Sequence, residues 1–241
     1  MLRQEIGSLC KTLKLGQRLA DNSQLIQEES HEAYLVSLFR TEVEQREAEA
    51  KARLLKKACF GGIKTFDGYE FGQIQMPKGV SPDDLKSLSF IDHQCNLILY
   101  GKVGTGKSHM ATAIGVQACK KGKRVLFMRT STLVNQLVEA KKEGRLIRFL
   151  KSFESLKLLI LDEFGFVPLD REGGQLLFQL ISDCYERISI IITTNLEFSR
   201  WVNIIGDESM ASAMIDRLIH HGYLLIFNGD SYRLKNSLMK E

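Results

Sequence analysis

Proline is scarce in this chain of 241 residues: there are three, which leaves little room for long extended linkers. There is one tryptophan, and no apolar run approaches the ~20 residues needed to cross a bilayer, so no transmembrane helix is expected. The first fifteen residues, MLRQEIGSLCKTLKL, lack the continuous apolar segment of a secretory signal. Five cysteines, Cys10, Cys59, Cys95, Cys119 and Cys184, are odd in number and never spaced Cys-x-x-Cys. That argues against disulfide and zinc frameworks and for a reducing, cytoplasmic setting, with the thiols as small packing residues. Charge of one sign is not in large excess either. A net charge of +4 permits nucleic-acid binding without demonstrating it. What is present is ordinary for a globular protein: 44% hydrophobic and 26% charged residues, enough for one α/β core and a small appendage.

The appendage is expected at residues 1–60 and the main domain at 61–241. Residues 30–57 contain no Gly or Pro. Tyr34, Leu35, Leu38 and Phe39 fall on one face of a helix there. Glu42–Arg46, Glu47–Lys51 and Glu49–Arg53 follow as acid-before-base pairs at i,i+4, which support a solvated second half. Such a helix either packs on its own domain or serves as an assembly or partner-binding arm. Gly61-Gly62 is expected to break it. Phe66, Tyr69, Phe71 and Phe90 then belong to the core or line a nucleotide base.

From Asn96 onward, strand-length apolar runs alternate with helical segments. Strands are predicted at 96–100, 124–129, 157–162, 188–194 and 223–227, and helices at 107–120, 131–142, 173–186 and 209–220. This alternation implies an α/β fold, a five-stranded parallel sheet with helices on both faces.

Between the first strand and its helix stands Gly101-Lys102-Val103-Gly104-Thr105-Gly106-Lys107-Ser108, which fits G-x-x-x-x-G-K-[ST] at every fixed position. Glycines allow successive backbone N–H groups to turn inward around a polyanion, and the helix N-terminus adds positive potential. Lys107 supplies a point charge for the β- and γ-phosphates of ATP, and Ser108 a hydroxyl for Mg²⁺. A second apolar strand ends in Asp162-Glu163. Asp162 is placed to hold Mg²⁺ and Glu163 to polarise a water for in-line attack on the γ-phosphate. The adjacent Glu points to water rather than a second substrate as acceptor. A third apolar strand ends in Thr193-Thr194-Asn195. If it lies between the other two, Asn195 sits beside the attacked phosphate. Arg217, on a predicted helix, is of the type that completes a neighbouring subunit's site.

In order, these segments resemble the Walker A, Walker B, sensor 1 and arginine finger of AAA+ ATPases. Longer blocks resemble the IstB-type transposition helper ATPases more closely: REGGQLLFQLISDCYER, IITTNLEFSRW, DRLIHH, GDSYRLK, and the N-terminal EAYLVSLFRTEVEQREAEAKARLLKKACF followed by KTFDGYEF. The DnaC-type helicase loaders are close to that family. The resemblance implies an AAA+ core without the usual C-terminal helical lid, and too few residues follow Arg217 for a helical bundle. It implies ATP-dependent assembly as a homo-oligomer on duplex DNA, remodelling of that DNA, and recruitment and stimulation of a cognate transposase. It implies that Arg217 acts in trans and that Arg233 reads the nucleotide state. One departure is Lys102-Val103, where many relatives carry a Pro, at variable positions of the motif.

Two basic groups are candidates for DNA: Lys120, Lys121, Lys123 and Arg124, and then Lys141, Lys142, Arg145, Arg148 and Lys151. The second is preferred, because Arg145, Arg148 and Lys151 share a helix face and the resemblance sets this region near the central channel of an assembly. No base-reading motif is visible, so contacts to phosphates are expected. Rival readings are a helicase loader, a P-loop small-molecule kinase, and a nucleotide-dependent scaffold with marginal hydrolysis.

Overall fold

The structure, a computed structural model, describes residues 2–232. The chain divides into two compact units, Met1–Arg53 and Leu54–Glu241. In the first, α1 (Leu2–Thr12), α2 (Leu19–Asn22) and the long α3 (His31–Lys57, which continues into the second unit) surround a small core of Cys10, Leu19 and Leu38. All three acid-before-base pairs of α3 form. The buried Glu42 was not expected: its Oε1 accepts from Gly16 N at 2.7 Å and from Arg46 Nε at 2.6 Å. The expected apolar face is only half covered. Leu38 is buried and Tyr34 partly so, whereas Leu35 and Phe39 are exposed.

The helix stops at Lys57, ahead of the Gly-Gly pair. Cys59 takes the left-handed conformation (φ 61°), and the Ala58 carbonyl accepts from Phe127 N at 2.8 Å. Tertiary pairing with a strand edge, rather than glycine, therefore sets this boundary.

The second unit is a three-layer α/β sandwich. In chain order it comprises β1 (Ile74–Gln75), α4 (Pro82–Ser87), α5 (Ser89–Asp92), β2 (Asn96–Gly101), α6 (Lys107–Lys120), β3 (Val125–Arg129), α7 (Thr130–Lys142), α8 (Leu146–Lys151), β4 (Leu158–Phe164), α9 (Arg171–Cys184), β5 (Ser189–Thr194), α10 (Trp201–Ile205), α11 (Glu208–His220) and β6 (Gly222–Phe227). The sheet order is β1-β6-β2-β5-β4-β3. Five strands are parallel, as expected. The sixth, β1, is an antiparallel addition against β6, and two residues are too few to leave a periodic signal.

Alternation along the strands feeds two cores. Ile98, Leu159, Leu161, Ile190 and Ile192 pack with α7, α9, α10 and α11 on one face. Leu97, Leu99, Leu158, Ile160 and Ile191 pack with α4, α5 and α6 on the other. Both faces being covered explains why these strands read as continuous apolar runs. Phe90 belongs to the second core, whereas Phe66, Tyr69 and Phe71 form a half-buried aromatic cluster at its margin.

Cys119 and Cys184 are buried, and desolvation pushes their thiols up to about 11 and about 12. These two and the buried Cys10 are packing residues, as expected, whereas Cys59 is exposed and Cys95 only partly covered, so the expectation fails for Cys59. Among the described residues no helix is long and apolar enough to cross a membrane.

Candidate functional site

The strand order puts β2, β5 and β4 side by side at the middle of the sheet, so their C-terminal ends form one edge. On leaving β2 the chain turns through Lys102–Gly106 before α6 begins. Gly104 (φ 84°) and Gly106 (φ 97°) are left-handed there. A Cβ on Gly104 would fall 2.1 Å from Ser231 Oγ, and one on Gly106 would fall 3.0 Å from the Tyr69 hydroxyl. Thr105 Oγ1 donates to the Lys102 carbonyl at 2.9 Å and tightens the turn, whereas Val103 is exposed. Lys107 is buried, with Nζ donating to the carbonyls of Gly101 (2.7 Å) and Lys102 (2.6 Å). Its ammonium thus lies inside the turn.

At the next residue of α6, Ser108 Oγ donates to Asp162 Oδ1 at 2.7 Å. Asp162 is buried and also accepts from Thr193 Oγ1, while its carbonyl accepts from Thr130 Oγ1 at 3.1 Å. A hydroxyl and a carboxylate in contact offer the all-oxygen donors that Mg²⁺ takes while keeping its waters. At the end of β4 the register with β5 shifts between Leu161 and Phe164, and Glu163 takes a left-handed conformation, φ 57°. Such an irregularity re-aims a side chain at the end of a strand. Glu163 N donates to Thr193 Oγ1 at 3.0 Å, and the carboxylate pairs with Arg129 Nε at 3.2 Å.

Arg129 was missed by sequence reasoning, and Thr193 was named only as part of the strand end that carries Asn195. Thr193 holds the Asp162 carboxylate and the Glu163 backbone together, and Arg129 stands opposite Asp162 in the β3–β4 register. Only knowledge of which strands are neighbours brings them into view. Tyr69 was half-anticipated: its hydroxyl donates to the Gly106 carbonyl at 3.3 Å, its ring lies 5.1 Å from that of His109, and burial raises the phenol's pKa.

β5 does lie between β2 and β4, the condition set for Asn195. Asn195 is exposed, one residue past Thr194, which pairs with Tyr100 of β2 and Phe164 of β4. Arg217 is half-buried on α11. Its Nη1 donates to the Ala213 carbonyl at 2.9 Å and its guanidinium lies 5.0 Å from the Phe178 ring of α9. Among the described residues these contacts go to α9 and α11 and none goes to the loop 101–108. Arg233 lies outside the described residues, as does the stretch that bears on a helical lid. The last described residue, Tyr232, donates its N–H to the Gly104 carbonyl at 2.9 Å, so the chain after β6 returns to the loop.

Lys141 and Lys142 end α7, Arg145 precedes α8, and Arg148 and Lys151 lie on it, all exposed. Lys141 pairs with Glu172 at 2.8 Å and Arg145 pairs with Glu143, which leaves Lys142, Arg148 and Lys151 as the more open cations of the group.

Residues 9–240 match the family described as IstB-like ATP binding protein. A protein of Geobacillus stearothermophilus, described as an ATP-binding protein of insertion sequence IS5376, is 36% identical over 88% of this chain and 84% of its own length. Its counterpart from insertion sequence IS21 of Pseudomonas aeruginosa is 37% identical over 86% of this chain and 78% of its own. The solved structure of the DnaC helicase loader superposes with a TM-score of 0.51 at 26% identity, covering 68% of this chain and 96% of that one. With its nucleotide loop, paired strand-end acids and intervening β5, and with this match over nearly its whole length, the chain belongs to the family of IstB-like ATP binding proteins, and its larger unit is an AAA+ P-loop domain.

Proposed function

We propose that this protein is a Mg²⁺-dependent ATPase that assembles on duplex DNA, remodels it, and recruits and stimulates the transposase of an insertion sequence. The observation that carries the hydrolytic part is the Ser108–Asp162 contact with Glu163 next in the chain, at the tip of the strand beside the nucleotide loop. The insertion-sequence relatives support the biological part.

In this reading the inward N–H groups of 101–106 and the Lys107 ammonium bind the triphosphate and orient its γ-phosphorus. Ser108 and Asp162 hold Mg²⁺, which supplies charge neutralisation to the phosphate oxygens. Glu163 takes a proton from the attacking water, and Asn195 holds that water without competing for the metal. Arg217 of one subunit stabilises the charge developing in its neighbour's site. A half-buried guanidinium resting on an aromatic ring is a pre-oriented donor for such a role. Residues 1–60 form a partner-binding unit, a role favoured by Leu35, Phe39 and Val43, which are exposed at successive i,i+4 positions of α3.

Lys141, Lys142, Arg145, Arg148 and Lys151 contact phosphates in sequence-tolerant fashion. Neutralising Arg148 and Lys151 together is expected to lower the slope of log affinity against log salt by about 2, since each phosphate contact contributes roughly one. ATP binding should survive that change, and an unchanged slope removes the cluster from the DNA path.

The deciding experiment measures ATP turnover with and without duplex DNA while following assembly size. DNA is expected to raise turnover. Glu163→Gln is expected to keep ATP binding, abolish turnover, and trap the DNA-bound assembly. Turnover retained by Glu163→Gln, or a rate indifferent to DNA, overturns the reading. The DnaC likeness favours one second reading, a helicase loader, which predicts preference for single-stranded over duplex DNA in the same assay.

A further inference from the structure

On the far side of α11 from its N-terminus, three ligand-type side chains meet that the ATP chemistry does not use. Glu186 follows the end of α9, His220 closes α11, and His221 follows it. One ligand atom from each lies within 4.8 Å of the others. We propose that Glu186, His220 and His221 bind a divalent late transition metal ion of the zinc class, which clasps the ends of α9 and α11 together.

The donor set is the first argument. Two imidazoles and a carboxylate suit zinc and its neighbours, whereas Mg²⁺ takes oxygen donors, so this site and the nucleotide site select different ions. The geometry is the second. Zinc bonds of about 2.0–2.1 Å in a tetrahedron set ligand atoms about 3.4 Å apart. His221 Nε2 already stands 3.0 Å from Glu186 Oε1, so a metal ion replaces the hydrogen between them with little movement. The histidine rings lie 4.5 Å apart at 83° to one another, and all three side chains are exposed, so rotamer changes can close the remaining distance. A fourth position stays open to water, as three protein ligands leave it.

The surroundings are the third argument. Tyr185 Oη lies 2.7 Å from His220 Nδ1, a hydrogen bond of the kind that fixes ring orientation around a metal. The His221 backbone is held as well, because its carbonyl accepts from Asn96 N at 2.6 Å. Two helix C-termini converge here, each with the partial negative charge of its last carbonyls, and both favour a cation. Glu186 is held in a left-handed conformation, φ 54°, at the turn between α9 and β5. The clasp lies one turn beyond Arg217 on α11, and Arg217 itself rests on α9 through Phe178. Metal binding therefore stiffens the platform that carries that guanidinium.

The test uses the full chain, freed of metal with a chelator and kept without ATP or DNA, so its result is independent of the proposed function. Zinc chloride is titrated against a chromophoric chelator in excess Mg²⁺. One equivalent per chain is expected to bind. Glu186→Gln and the double variant His220→Gln/His221→Gln should each weaken it at least about tenfold, and Tyr185→Phe by about tenfold. Zinc should raise the melting temperature of the parent chain and not of Glu186→Gln. Cobalt substitution separates this site from the exposed Cys59 and the partly exposed Cys95, since imidazole and carboxylate ligation gives a visible band without thiolate charge transfer. If the double variant fails to fold, the isosteric, surface-located Glu186→Gln carries the decision. No stoichiometric zinc, binding unchanged by Glu186→Gln, or a thiolate spectrum overturns the proposal.

Discussion

At the scale of single residues, the Arg129–Glu163 pair bears on how the proposed base behaves. Both side chains are well exposed, at 65% and 41%, and ion pairs of that kind contribute about 0–1 kcal/mol. A carboxylate engaged by a guanidinium is aimed along the ion pair and away from an attacking water. Arg129→Gln is therefore expected to raise DNA-independent kcat by up to about fivefold, the kinetic equivalent of that energy, with KM little changed. A fall in kcat measured by steady-state ATPase assay would instead give Arg129 a supporting role. Sequence reasoning reached Asp162, Glu163, Lys107 and Ser108 because each sits in a contiguous motif next to a strand. It did not reach Arg129, and in the segment Thr193-Thr194-Asn195 it gave a role to Asn195 and none to Thr193. Their proximity to the acids arises from strand adjacency, and no spacing along the chain encodes that.

At the scale of elements, three of the helices around the sheet begin on side-chain caps. Asp170 Oδ1 accepts from Gly173 N at 2.7 Å at the start of α9, Asp207 caps α11 in the same way, and Ser81 with Asp84 forms a reciprocal box at α4. Asp170→Ala is expected to cost about 1 kcal/mol, seen as a lower denaturant midpoint at unchanged slope. Because α9 carries Phe178 under Arg217, the proposed role of Arg217 predicts that the same variant also lowers ATP turnover slightly. Long periodic elements were legible: α6 was predicted at its observed limits, and each of the five parallel strands within two residues at either end. Short ones were not. β1 has two residues and α2, α5 and α10 four or five, too few for a period to register. The basic cluster after α7 was legible as composition, but Glu172, which neutralises Lys141, lies beyond both α8 and β4 in the chain.

At the scale of the whole molecule, the two units rest on different physics. The larger has two extensive apolar cores. The smaller has four buried apolar residues, Cys10, Leu19, Ala20 and Leu38, and a carboxylate, Glu42, that joins the loop at Gly16 to α3 and Arg46. Removing that carboxylate leaves the part-buried Gly16 N–H without its acceptor, at about 1–3 kcal/mol, and Arg46 with only its bond to the Lys14 carbonyl. For a unit of some fifty residues that loss is comparable to its entire margin of stability. Glu42→Ala is expected to abolish a separate low-temperature transition in calorimetry, leaving the main transition and ATP binding in place. A single cooperative transition in the parent chain would count against this separation.

The Glu42 junction therefore acts as a fuse. One point change can unfold the smaller unit and spare the larger, so under the proposed partner-binding role what the chain docks onto can change while the nucleotide machinery is inherited intact.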